Sequence, residues 1–233
     1  MLSHPNETRP QGESEIIMLI KTVLSPSQAA AKIKDGMSLM VGGFMTIGSP
    51  EKIIDAIVES GVKDLTIICN DAGLPGKGVG KLIETGQVSK LIASHIGLNR
   101  TAGDKMNAGE MQVELVPQGT LVEQIRSAGA GLGGVLTQTG LGTLVQDGKQ
   151  VIEINGKEFL LELPLKADVS LLKSAACDQF GNTRYNKTAQ NFNPMMATAG
   201  DLVFVEPEEI LAADLDSVGS FTTPSVLIDY IVE

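Results

Sequence analysis

Tryptophan is absent from this chain of 233 residues, aromatic side chains make up only 3% of it, and there are two cysteines and two histidines. A core without rings has to be aliphatic, and aromatic–basic clusters of the kind that grip nucleic acid are missing. Positive charge is scarce as well: 18 Lys and Arg face 28 Asp and Glu, for a net charge of −10. A nucleic-acid partner is therefore not expected, and an anionic ligand would have to be held by local donors. Cys69 and Cys177 lie far apart and form no CxxC pair, which excludes a zinc ribbon and points to reduced thiols in a cytoplasmic protein with no bound metal. No apolar run approaches the ~20 residues that span a bilayer. The first 15 residues are too polar for a secretory signal. Residues 1–17 are read as a flexible leader, with Met18 as a natural start, and residues 18–233 as a single domain.

What the chain does have is glycine, 26 in all, on a background that is 42% hydrophobic. The densest information lies at residues 35–50, Asp-Gly-Met-Ser-Leu-Met-Val-Gly-Gly-Phe-Met-Thr-Ile-Gly-Ser-Pro. Leu39, Met40 and Val41 form a continuous apolar run suited to a strand covered on both faces. Gly42 and Gly43 then allow a sharp turn, Ser49 is placed to cap a helix, and Pro50 suits a first helical position that needs no N–H. A helix N-terminus aimed at a strand end favours a phosphate, a carboxylate or an oxyanion. The plainer alternative is a strand–turn–helix junction with no ligand.

Apolar runs at 38–42, 64–69, 88–94 and 112–116 alternate with helical stretches at 50–60, 78–85 and 118–128. That rhythm predicts a three-layer α/β/α fold around a mostly parallel sheet. The strands end in Gly42, Asn70-Asp71, Ser94-His95 and Gln118-Gly119, and in open α/β sheets such carboxyl ends frame the binding crevice. At about 134–165 the rhythm changes. Val151 to Ile154, the pair Asn155-Gly156, and Lys157 to Leu161 form a hairpin signature, so an antiparallel β-layer is inserted here. Strands resume at 168–176 and 202–205, with Glu206-Pro207 read as a strand exit.

Several motifs dissolve on inspection. Gly129, Gly131 and Gly134 match GxGxxG but follow a helical stretch, whereas a dinucleotide site needs a preceding strand. No GxxxxGK[ST] spacing occurs. His95, alone in the folded part, has no Ser or Cys assigned to it, and Cys69 reads as a small buried hydrophobe. Glu123 and Arg126 suit an i,i+3 ion pair, and Arg100 and Lys105 a basic rim. Gln118, at a strand exit and a helix start, can project a neutral amide donor into the crevice, or serve as a polar cap. Asn70 and Asn193 are candidate crevice residues.

The string Asp35-Gly36, Gly42-Gly43-Phe44, Gly48, Pro50 resembles the class I coenzyme A transferases, specifically the A (alpha) subunit of the bacterial short-chain enzymes. The resemblance continues through Asn70-Asp71, Ala93 to Gly97, Pro117 to Leu121, Gly129 to Gly134 and Asn191 to Pro194, covering residues 20–232. It implies coenzyme A as a substrate, with no permanently bound cofactor. It assigns Gly42, Gly43, Phe44, Met45, Thr46, Ile47 and Gly48 to coenzyme A or substrate contact, and Gln118 to oxyanion stabilisation. The family's nucleophilic glutamate belongs to a B subunit within a Ser-Glu-x-Gly motif. Here Glu84-Thr85-Gly86 is preceded by Ile83, so the nucleophile is not carried over. The expected protein is an A subunit that pairs with a B subunit, two of each, and exchanges coenzyme A between acetoacetate and acetate or butyrate. Acyl-CoAs and short-chain carboxylic acids would be its small-molecule partners, with no membrane involved. A succinyl-CoA:3-oxoacid transferase subunit is the alternative. A sugar-phosphate isomerase-like enzyme lacks its acid and base here, and a metabolite-binding regulator lacks a basic DNA-binding segment.

Overall fold

The computed structural model describes residues 20–212 and 219–233. The leader at 1–17 and Met18 lie outside them. The chain opens with β1 (Thr22–Leu24), α1 (Pro26–Ala30), β2 (Ser38–Val41), α2 (Glu51–Ser60), β3 (Leu65–Asp71), α3 (Gly80–Glu84), β4 (Val88–His95), α4 (Arg100–Ala108), β5 (Gln112–Leu115) and α5 (Gln118–Gly129). It continues with β6 (Val135–Thr137), β7 (Val151–Ile154), β8 (Lys157–Glu162), β9 (Ala167–Asp178), β10 (Thr183–Arg184), α6 (Asn193–Met196), β11 (Gly200–Leu211) and β12 (Tyr230–Val232).

Among the described residues the main sheet runs β1-β12-β11-β9-β2-β3-β4-β5, parallel throughout, with the short β10 antiparallel on β9. The continuous apolar runs follow from burial on both faces. Leu39 and Val41, Ile67 and Cys69, Leu91 and Ala93 pack with α1 to α4, whereas Met40, Ile68 and Ile92 pack with Leu121 and Ile125 of α5 and Met196 of α6. Side chains alternate along a strand, so one apolar triplet supplies both cores, each fully buried Leu, Ile or Met contributing roughly 1.5–3 kcal/mol.

The inserted layer is a separate three-stranded antiparallel sheet, ordered β6-β8-β7. Asn155 and Gly156 turn its hairpin with φ of 52° and 73°, the paired positive values that a two-residue hairpin turn demands. A Cβ on Gly156 would meet nothing within 4 Å, so Gly156→Ala carries only a backbone penalty. Calorimetry should show a loss of about 1 kcal/mol and a melting temperature ~2–4 °C lower.

Two sequence expectations are corrected. Glu206-Pro207 does not end a strand, because β11 continues to Leu211. Beyond Val205 it pairs only with β9, and a strand with one open edge tolerates a proline. Arg100 and Lys105 form no rim around a crevice; they lie on α4 and pair with Asp104 and Glu110. The i,i+3 pair of Glu123 and Arg126 is present, with Nη2 2.6 Å from the carboxylate.

Candidate active site

The glycine-rich loop leaves β2 at Gly42, whose amide still bonds Leu171 of β9 at 2.9 Å. It then closes a tight turn: Phe44 and Ile47 exchange both backbone hydrogen bonds, at 3.1 and 3.0 Å. Met45 and Thr46 at its tip have φ of 49° and 68°. Left-handed backbone at two successive non-glycine residues, one of them β-branched, is rare. The turn is therefore held from outside. The Met45 amide donates to Asp71 Oδ2 at 2.7 Å, and Asn191 Nδ2 donates to the Ile47 carbonyl at 3.2 Å.

The helix after this loop does not offer a vacant anion site. Ser49 Oγ donates back to the Gly42 carbonyl at 3.1 Å instead of capping, and Pro50 occupies the cap position with no side-chain bond. The Ile53 amide donates to Glu206 Oε2 at 3.0 Å, and Lys173 Nζ lies 3.2 Å from Glu206 Oε1. Glu206 is 1% exposed. The anion favoured by the α2 dipole is thus a carboxylate of the chain itself, delivered from β11, which no local reading of residues 35–50 contains.

The carboxyl ends of β2 and β3 and the start of α5 meet as expected. Phe44, Asn70 and Gln118 line one open depression of about 490 Å³. Val122 on the next turn of α5 and Thr188, Asn191 and Phe192 ahead of α6 complete its wall. Gln118 Nε2 donates to Asn70 Oδ1 at 2.7 Å, and Asn70 is fixed in turn by the Ser94 hydroxyl at 2.6 Å from its carbonyl and 3.1 Å from Oδ1. Gln118 is exposed while Asn70 is buried. One amide hydrogen of Gln118 anchors the side chain, and a second remains to donate. Among the described residues, no carboxylate, thiol or imidazole lines this depression.

The other expected site residues are placed differently. Thr46, Ile47 and Gly48 line a second cavity of about 480 Å³, with Ser49, Lys173 and Lys187. Gly42 and Gly43 border only a gap of about 10 Å³ and act through geometry. Met45 lines none of these openings and is 42% exposed at the turn. Asn193 does not line the crevice. It is fully buried, accepting from the Lys173 amide at 3.1 Å and donating to the carbonyls of Gly48 and Ala189 at 3.1 and 2.8 Å. It clips the loop from behind. Cys69 is buried beside Asp71, and desolvation, with the nearby carboxylate, pushes its thiol well above the usual range, so it is no nucleophile at neutral pH. Glu84 accepts the Gly76 amide at 2.9 Å at the end of α3, an ordinary structural contact. Val122, Thr188, Asn191 and Phe192 are not among the expected site residues: Val122 shares a helix face with Gln118, a readable signal, but the others reach the site only through the path of the chain after β10.

Comparison with known proteins places this geometry. The coenzyme A transferase family model matches residues 23–233. The acetoacetyl-CoA:acetate/butyrate CoA transferase alpha subunit of Clostridium acetobutylicum is 54% identical over 200 residues, covering 86% of this chain and 92% of that protein. The acetate CoA-transferase subunit alpha of Escherichia coli is 50% identical over 214 residues, covering 91% and 97%. In fold, the chain is similar to a crystal structure of an acyl-CoA transferase from E. coli O157:H7 in a thioester complex with CoA, with a TM-score of 0.81 at 21% identity. That match covers 91% of this chain and 47% of the longer one.

Proposed function

The chain belongs to the coenzyme A transferase family, and on that premise we propose that it is the A subunit of a short-chain acyl-CoA transferase, one domain over residues 18–233, that moves coenzyme A between acetoacetate and acetate or butyrate. One observation carries the division of labour: among the described residues, the depression holding an anchored neutral donor, Gln118, is lined by no carboxylate, thiol or imidazole, and its one hydroxyl, on Thr188, has no base beside it in that lining. A carboxylate from a B subunit would attack the acyl-CoA carbonyl there, expelling the CoA thiolate and leaving a mixed anhydride; the thiolate then attacks the glutamyl carbonyl, releasing the original acid as its carboxylate and leaving coenzyme A as a glutamyl thioester. The oxygen that gains charge in the first attack needs a donor in place beforehand, and Gln118 supplies it. The Gly42–Gly48 loop, whose Phe44 lines this depression and whose Thr46 to Gly48 line the second cavity, contacts the thioester. We assign an assembly of two A and two B subunits, in the cytoplasm; among the described residues no helix is long and apolar enough to cross a membrane.

Transfer from acetoacetyl-CoA to acetate, assayed with this chain alone and with the chain co-expressed with its B subunit, tests the reading. Activity is expected only in the pair. Activity in the lone chain would mean that a nucleophile resides here, and transfer only with succinate as a partner acid would replace the proposed substrates.

A further inference from the structure

The strained turn and the donor pocket are joined by a residue to which no role has been given. Asp71 closes β3, one position after Asn70, and strand alternation turns the two side chains opposite ways. Asn70 faces Gln118, while Asp71 is 4% exposed beneath the glycine-rich loop. Its carboxylate is divided between two loops: Oδ2 accepts the Met45 amide and Oδ1 the Gly73 amide, both at 2.7 Å. No ion pair is formed by Asp71 among the described residues, and its carboxylate is met there by the two backbone amides. An uncompensated buried charge is costly, whereas amide bonds to an ionised acceptor are about twice as strong as neutral ones.

The two loops share a form. Leu74 and Lys77 are bridged across Pro75-Gly76 much as Phe44 and Ile47 are bridged across Met45-Thr46. The later turn has a glycine where left-handed backbone is needed, at φ 68°. The earlier one has left-handed backbone at both central positions, Met45 and Thr46, where the later one has Pro75 at the first, and it needs a restraint. Its neighbour on the strained side is Phe44, which lines the depression with Asn70 and Gln118.

We propose that Asp71 is a positioning residue for coenzyme A transfer: it clamps the disfavoured Met45-Thr46 turn so that the loop meets the thioester in register with Gln118. This rests on the transferase reading above. Asparagine at 71 could accept only one of the two amides and would set its NH2 against the other. A loop shifted by about an ångström misaligns the reacting groups, which lowers kcat by roughly 10- to 100-fold without removing binding contacts.

The test is one substitution in two backgrounds, in the complex with the B subunit. Asp71→Asn should lower kcat by roughly 10- to 100-fold and change the acyl-CoA KM by less than about threefold. In a Met45→Gly/Thr46→Gly background, where both left-handed positions are favoured without help, the same substitution, measured against that background alone, should cost less than about threefold. Equal losses in both backgrounds, or a loss confined to KM, would overturn the proposal, as would an undiminished Asp71→Asn complex. Amide hydrogen exchange on the unsubstituted complex covers the case in which Asp71→Asn does not fold. Met45 and Gly73 should be protected, and free exchange at Met45 would show that no clamp exists. An unsubstituted complex that transfers no coenzyme A would sink the transferase reading instead, with the exchange data still deciding whether Asp71 holds the loop.

Discussion

Gln118→Ala should lower kcat for coenzyme A transfer by about 10²- to 10³-fold, the usual cost of one oxyanion donor. The melting temperature of the complex should scarcely move. Gln118 is exposed at the first turn of α5, so its removal opens no buried cavity. Its single side-chain bond goes to Asn70 Oδ1, which keeps the Ser94 hydroxyl at 3.1 Å as a partner. An activity loss with an unchanged fold separates the donor role from the polar-cap role that residue type alone also allows. Gln118→Glu should be worse than Ala, since a carboxylate cannot donate and would repel both the developing oxyanion and Asn70 Oδ1. Single-turnover kinetics with acetoacetyl-CoA is the direct check, because it isolates formation of the enzyme thioester from product release. A kcat within about threefold of the unsubstituted complex would remove Gln118 from the chemistry.

The donor role of Gln118 comes from the family resemblance; what else of the site is legible is a matter of which signals are local. Strands buried on both faces announce themselves as runs such as Leu39-Met40-Val41, and Pro117-Gln118-Gly119 marks where one chain segment stops being a strand and starts a helix. The mate of Gln118 was half legible: Asn70-Asp71 marked a strand end, but which of the two faces the pocket depends on the phase of the pleat. Some local signals were present and went unused. Ser25 and Gln28 form a reciprocal capping box at α1, with bonds of 3.2 and 2.9 Å, yet the helix is only five residues long and lacks a periodic face. Asn99 caps α4 and Gly109 closes it at φ 71°, but only Ala102 in between is buried, so hydrophobic periodicity is nearly absent. Other features had no local signal. The strands β1 and β12 are three residues each and exist because they pair with one another, and β12 with β11. Glu206 reaches the α2 N-terminus across 153 positions of sequence. Asn193, expected in the crevice, is instead buried behind the loop, because α6 packs under the loop, a placement with no local signal.

That buried asparagine makes Gly42→Ala the substitution expected to do most harm to the fold and the site together. A Cβ on Gly42 would overlap the Asn193 amide oxygen, with the rest of that amide also within 3.0 Å. Nothing there yields easily. Asn193 is fully buried, and its amide is committed to three backbone groups, on Lys173, Gly48 and Ala189. Turning it away strands a buried N–H and two carbonyls, and moving the loop instead breaks the bond from the Gly42 amide to Leu171 and shifts Phe44 in the depression. Either route costs about 3 kcal/mol or more, which for a chain of this size lowers the melting temperature by roughly 6–12 °C. Transfer should fall at least about tenfold even at temperatures where the variant is folded, because the loop is displaced. Gly103→Ala supplies the comparison. Gly103 lies inside α4 with nothing within 4 Å of an added Cβ, and the change should stabilise by about 0.5–1 kcal/mol. Thermal unfolding of the two variants decides the matter: if Gly42→Ala melts with the unsubstituted protein, the loop is not seated on Asn193, and the geometry assigned to the site falls with it.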